Sequence, residues 1–291
     1  MNRLVTAAVD RALREAGQAY RSLRPEGRQV ASLLHSLGLD RGAPVDEWLA
    51  ASEEAHGRYR ELVEPLPDDV GIVCSTNRPQ FVDALAANLA RQRRAAVVVV
   101  VTHGEAVDPA VVRSACRDLP VPVEVIDGSA IATLGDCLNA GLERLPTRFV
   151  AKFDDDDHYG DHYLDDALRA HRFADAGVVG KHSWFGYLPR RSELVVRFPR
   201  NEFRYTGTLA GGTLVIDRQR TGPIRFPSLD FGEDRGLLRA CHRRFVRTFS
   251  ADRFNYVQVR AGHNTWPIAD DEFARTAVTV GRSLDTAVTD R

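Results

Sequence analysis

An α/β fold, with a mostly parallel central sheet and helices on both faces, follows from three features of the sequence. Between residues 70 and 153, short apolar runs alternate with stretches of helical period. The spacing leaves room for a crossover helix between successive strands, as parallel pairing requires. The polar groups fall just beyond the runs, where parallel sheets gather their ligands.

The elements read in order as follows. Strands are expected at 70–74, 95–101, 123–126 and 149–153, and helices at 80–91, 109–118 and 131–144. The segments past the strand ends, at 75–78, 102–105, 127–128 and 154–157, should converge on one crevice. The second half is less regular, with strands expected at 177–181, 194–198, 212–216 and 256–260 and a helix at 233–243. The tail beyond Gly281, residues 282–291, reads as frayed.

Residues 1–66 differ from the main domain at 67–281. They are rich in Ala, Leu, Arg and Glu, with apolar residues at helical spacing: Leu4, Ala8 and Ala12, then Val30, Leu33, Leu34 and Leu37. A third helix is expected at 46–63, followed by a Pro-containing linker. This helical extension should pack on the main domain or on a second copy of the chain, which would make a homodimer.

Composition excludes several classes. With 291 residues the chain can bury a large core. A net charge of -1 argues against general nucleic-acid affinity. The four cysteines, Cys74, Cys116, Cys137 and Cys241, lack metal-ligand spacing and read as reduced core thiols of a cytoplasmic protein. The start of the chain lacks the basic-then-apolar pattern of a secretory signal. The longest aliphatic run, at 95–101, is too short to span a bilayer, so no transmembrane segment is expected.

The most informative motif is the run Asp154-Asp155-Asp156-Asp157 directly behind the strand at 149–153. Adjacent carboxylates repel, and carboxylates are poor strand and core residues. A strand that delivers four of them to its end calls for a cation, and Mg²⁺ or Mn²⁺ takes such oxygen ligands together with substrate phosphates. In an extended segment Asp154 and Asp156 point the same way, as one shared ion requires. The alternative is a solvated acidic turn.

Further motifs follow a set order: Ser75-Thr76-Asn77-Arg78-Pro79 after the first strand, Asn139-Ala140-Gly141 in a helix, the aspartate run, Gly211-Gly212, and Phe231-Gly232-Glu233-Asp234 at a helix start. Over residues 70–266 this order resembles the family 2-type nucleotide-sugar glycosyltransferases of the GT-A (Rossmann-like) fold. The resemblance implies an enzyme that uses a nucleoside diphosphate sugar, most simply a UDP-sugar, with Mn²⁺ or Mg²⁺ and inversion at the anomeric carbon. By this likeness Asp154 and Asp156 are the Asp-x-Asp carboxylates. Asp156 would be the main metal ligand, and Asp154 would lean to the ribose or a metal-bound water. Asp157 would support them, and Asp155 would join the donor-binding groups. Thr76 and Arg78 would meet the nucleotide, and the helix carrying Asn139 would approach it. Asp234 would be the base and Glu233 would orient the acceptor. A carboxylate at a helix start is held ionised by the backbone dipole, ready to take a proton. His263 matches a late histidine that serves as an extra metal ligand, although a lone histidine reads equally well as structural. Trp266 could stack on a sugar, though core packing is its commoner use.

This chain departs from the pattern after its second strand, where Thr102-His103-Gly104-Glu105 stands in place of an acidic pair. Asp127 either supplies the missing carboxylate or forms a plain Asp-Gly turn. The resemblance leaves the acceptor open: a saccharide, a lipid carrier, a natural product or a peptide. Two rivals remain. A nucleotidyl- or phosphotransferase would share the sheet and the metal, but the sequence lacks a G-x-x-x-x-G-K-[ST] phosphate loop. A non-catalytic binding protein on a degenerate transferase fold would account for the altered second-strand motif.

Overall fold

The computed structural model describes residues 44–261, 268–284 and 289–291. The two helices expected before residue 40 lie outside the described residues. The expected third helix is α1, Val45–Leu62.

Four parallel strands form the half of the sheet that carries the motifs. They are β1 (Val70–Thr76), β2 (Ala95–His103), β3 (Val123–Gly128) and β4 (Phe149–Phe153), in the order β3-β2-β1-β4. Their helical crossovers are α2 (Val82–Arg91), α3 (Pro109–Ala115) and α4 (Leu134–Arg144). Because side chains alternate along a strand, each strand feeds two cores. Ile72, Val98, Val100, Phe149 and Phe153 pack on one face with Leu85 and Leu89 of α2. Val73, Val99, Val101 and Val150 pack on the other with Leu138 and Leu142 of α4. Gly141 lets α4 ride close, since a Cβ there would stand 2.5 Å from Val73 Cγ2. Helices therefore cover both faces, as the alternation predicts.

Beyond β4 the chain adds β5 (His158–Tyr159), α5 (Tyr163–Phe173), β6 (Val178–Gly180), β7 (Trp184–Leu188), β8 (Glu193–Arg197), β9 (Arg204–Tyr205) and β10 (Val215–Asp217). The short α6 (Arg218–Thr221), then α7 (Glu233–Arg243), β11 (Thr248–Ser250), β12 (Tyr256–Val259), α8 (Asp270–Ala274) and β13 (Ala277–Gly281) follow. Strand β10 pairs antiparallel with β4 and extends the sheet to eight strands through β6, β11 and β9.

Three differences from the sequence expectation stand out. A second sheet, β13-β8-β7-β12-β5, is not evident from the sequence, because its strands are short and pair across long separations. The strand expected from residue 212 begins at Val215, since Gly211–Thr213 forms a 3₁₀ turn. The end of the tail is not frayed. Asn255 N donates to Thr289 O at 2.7 Å, and Arg291 pairs with Glu53 at 2.6 Å. Polar tail residues find polar partners here, which composition does not reveal.

Helix α1 is docked on the main domain by polar and aromatic contacts. Ser52 donates to Glu202, and Arg60 holds Asp166 through two bonds of 2.6–2.8 Å. Tyr59 packs edge-on to Phe173 and Phe203 and donates to Asp252.

Candidate active site

The acidic run leaves β4 at the carboxyl end of the parallel strands and is folded inward. Asp155 is 1 % exposed and Asp157 is buried, whereas the Asp154 side chain is 34 % exposed. Burying carboxylates requires partners, and the neighbouring elements supply them. Thr76 Oγ1, at the end of β1, donates to Asp155 Oδ2 at 2.6 Å. Arg78 bridges Asp155 and Asp156, reaching the latter at 2.8 Å. Asp157 accepts from Tyr256 Oη at 2.6 Å and from the Val259 amide at 3.0 Å. The turn is pinned by Asn88 of α2, whose amide donates to Asp157 O and accepts from Tyr159 N.

The electrostatics carry a surplus of negative charge. Burial pushes Asp156 up to about 6; Arg78 opposes this, and Asp154 and Asp155 add to it. Burial likewise raises Asp155 and Asp157 above the usual carboxylate range. A group that resists ionisation beside other carboxylates is one that a divalent cation would relieve.

Lys152, inside β4, connects this cluster to α7. Its Nζ stands 2.7 Å from Asp154 Oδ1 and 3.5 Å from Glu233 Oε1. Burial alone would depress this ammonium, but Asp154, Glu233 and Asp234 together hold it above its ordinary value. Burial raises the Glu233 carboxyl, with Lys152 opposing. At Glu233 burial thus works against the backbone dipole expected to hold a carboxylate at this helix start ionised, and Lys152 works with that dipole.

Gly211 and Gly212 press backbone against the carboxylates. A Cβ on Gly212 would lie 2.8 Å from Asp154 Oδ2 and 3.0 Å from Asp157 Oδ2, and one on Gly211 would collide with the Asp234 carboxylate. Tyr159 Oη accepts from the Asp154 amide and donates to Gly212 O at 2.7 Å, fastening the two segments together.

The structure thus brings together Thr76, Arg78, Asp154, Asp155, Asp156, Asp157, Glu233 and, beside Gly211, Asp234. Two further expected residues are hydrogen-bonded to backbone near them. Asn139 is spent on the backbone of Phe226, donating to its carbonyl at 2.8 Å and accepting from its amide at 3.1 Å. It holds the loop that leads to α7. The same loop is tied to the start of α4 by Ser228–Asp136 and Leu134–Asp230 contacts. Asp127 is solvent-exposed and accepts from the Ser129 amide at 3.0 Å, capping its own turn. His263 and Trp266 lie outside the described residues.

Sequence reasoning missed Lys152, Tyr159, Tyr256 and Asn88. Lys152 left a signal, because a lysine inside a five-residue apolar strand needs buried anions. The tyrosines left none, since Tyr159 donates to Gly212 and Tyr256 to Asp157, partners far along the chain.

Among the described residues, one group of three metal-capable side chains has its ligating atoms within 4.8 Å: His56, Asp166 and Asp252. It is an ionic junction and not an ion site. Arg60, Arg169 and Asn255 already donate to Asp166, and Lys181 and Tyr59 donate to Asp252. Three cations around two carboxylates leave no deficit for a metal to fill.

No family model and no curated protein matches the sequence. Solved structures do resemble it. A mannosyltransferase from Pyrobaculum calidifontis, PcManGT, in complex with GDP-Man and Mn²⁺, is 17 % identical with a TM-score of 0.55, over 83 % of this chain and 70 % of that one. S. aureus TarS 1-349, in complex with UDP-GlcNAc, is 17 % identical with a TM-score of 0.52, over 72 % of this chain and 64 % of that one. The chain therefore spans just under two thirds of the TarS fragment. Among the described residues no helix is long and apolar enough to cross a membrane. The likeness establishes the architecture: this chain has the GT-A-type fold that these two glycosyltransferases share.

Proposed function

We propose that this protein is a metal-dependent, inverting glycosyltransferase that moves a sugar from a nucleoside diphosphate sugar, most simply a UDP-sugar, to an acceptor. The observation that carries this is the buried acidic turn after β4, joined through Lys152 to the carboxylates that open α7. The fold likeness supports it, because PcManGT and TarS were solved with GDP-Man and UDP-GlcNAc respectively.

Asp154 and Asp156 are the proposed holders of Mn²⁺ or Mg²⁺, with His263 as a third ligand on the strength of the sequence motif. Their chemistry fits: oxygen donors, and a carboxyl at Asp156 raised to about 6 by burial and like-charged neighbours. Such an ion would supply positive charge to the leaving diphosphate. Arg78, with Thr76 behind it, orients the acidic turn and presents a guanidinium at the strand end where a phosphate would lie. Asp234 takes the proton of the attacking acceptor hydroxyl, and Glu233, braced by Lys152, keeps the start of α7 in place. Gly211 and Gly212 let the backbone approach the reacting groups closely.

Residues 67–281 are proposed as the catalytic domain and 1–66 as a helical extension, with self-association through the extension as its proposed use. The four cysteines are free and buried, which supports a cytoplasmic setting. A melting-temperature screen with UDP, GDP and TDP, with and without Mn²⁺, tests the function. Metal-dependent stabilisation by one diphosphate supports the transferase, and silence toward every nucleotide defeats it.

A further inference from the structure

Helix α7 carries two adjacent rows on the side that meets the 207–211 loop. Asp234, Leu238 and His242 follow one another at intervals of four, and Arg235, Arg239 and Arg243 form the next row. The loop runs alongside in the opposite direction. Gly211 lies against the Asp234 carboxylate, and a Cβ on Gly207 would be 3.7 Å from the His242 ring. Between loop and helix is an open cavity of about 430 Å³ lined by Gly207, Leu238, Arg239, His242 and Arg243. The cavity begins one helical turn from Asp234, which stands on the same row as Leu238 and His242 with Gly211 against its carboxylate.

Among the described residues the arginine row has no carboxylate partners. Arg58, Arg144, Arg191 and Arg291, on other faces, pair with carboxylates. Arg235, Arg239 and Arg243 form no ion pair among the described residues, and all three are exposed. Successive members sit one helical turn apart, about 6 Å. At the far end Phe245 is 94 % exposed and held at φ 57, a conformation a bulky residue rarely adopts. Its ring offers a flat apolar face beside Arg243 and Arg244, the kind that stacks on a sugar.

We propose that the groove between α7 and the 207–211 loop receives the acceptor, and that this acceptor is a saccharide chain bearing phosphate or carboxylate groups. The proposal rests on the transferase function above, since it takes Asp234 as the reacting end of the groove. Guanidinium forks in a row match repeated oxyanions, and they match a neutral chain poorly.

Calorimetry on the full chain tests it with four probes: oligogalacturonate, a phosphorylated maltooligosaccharide, the neutral maltooligosaccharide and phosphatidylglycerol vesicles. At least one anionic saccharide should bind, more weakly as salt rises from about 50 to 200 mM, and the neutral one should not. Which of the two binds identifies the anion. The double variant Arg239→Gln/Arg243→Gln should lose about tenfold or more in affinity, while Arg93→Gln/Arg117→Gln, of equal charge, keeps it. If the double variant fails to fold, judged by melting temperature, Arg239→Glu alone serves in its place. Equal binding of the neutral chain overturns the proposal, as does unchanged affinity in the groove variant. Binding to vesicles alone, or to none of the saccharides, also overturns it. Nucleotide binding with Mn²⁺, measured on the same preparation, separates the two failures. A protein that binds nucleotide but no anionic saccharide leaves the transferase standing and removes only this inference.

Discussion

Lys152 Nζ lies 3.5 Å from a carboxylate oxygen of Glu233, so a buried ammonium from the middle of the sheet reaches the first residue of α7. The same ammonium bonds Asp154 at 2.7 Å. One cation therefore sets the spacing between the acidic turn, where a metal would sit, and the helix start, where the base would stand. That geometry is electrostatic, and it can be tested by removing charges one at a time.

Lys152→Met keeps the volume and removes the cation. It strands a buried Glu233 and a partly buried Asp154, at a cost of about 3 kcal/mol measured by urea denaturation. Adding Glu233→Gln should restore part of that loss, because the carboxylate no longer needs a partner. A single variant as stable as wild type would mean that the pair does not brace the site.

Asp234→Asn separates binding from chemistry. Nucleotide affinity should stay within about twofold while transfer falls by roughly 100-fold or more, as expected when a base is lost. Asp156→Ala should instead abolish the Mn²⁺-dependent part of nucleotide binding. Wild-type turnover in Asp234→Asn would remove Asp234 from the mechanism.

Two glycines should respond in opposite directions. Gly212→Ala drives a methyl into Asp154, Asp157 and the Tyr256 hydroxyl, costing about 1–3 kcal/mol and most of the activity. Gly57→Ala in α1 meets nothing within 4 Å, so it should gain about 0.5–1 kcal/mol from helix propensity alone. Thermal melts of the two proteins decide this.

His171 sets an acid limit on stability. Burial pushes it down to about 4, with its bond to Val215 O and the Asp217 carboxylate opposing. The unfolded chain, with an ordinary imidazole near 6.5, takes up the proton first as pH falls. Stability from this site is therefore complete above about 6.5 and is lost progressively down to about 4. Between about pH 7.5 and 5 the loss is roughly 2 kcal/mol. His171→Gln, which can still donate to Val215 O, should show a pH dependence shallower by that amount in denaturation curves at the two pH values.

Much of the first half is legible in the order of residues alone. The four parallel strands and their crossover helices follow from local apolar runs, and the residues past β1 and β4 meet because those two strands are parallel neighbours in register. Thr76 and Arg78 meeting Asp155 and Asp156 is the clearest case. Asn139 and Asp127 show what local sequence does not specify: Asn139 bonds the Phe226 backbone, 87 residues on, and Asp127 takes the turn that the sequence offered as one of two readings.

By itself, the sequence determined the α/β alternation, the placement of four aspartates at the end of β4 and the acidic pair at the start of α7. These are local matters of period, propensity and charge. Tertiary structure alone decided which carboxylates would be buried and what would neutralise them. It also decided that Gly211 and Gly212 would lie against them, and that a second sheet would hold Tyr159 and Tyr256 over the site. Those outcomes depend on contacts between residues far apart in the chain, and the free energy of burying a charge is set by such neighbours and not by its position in a motif.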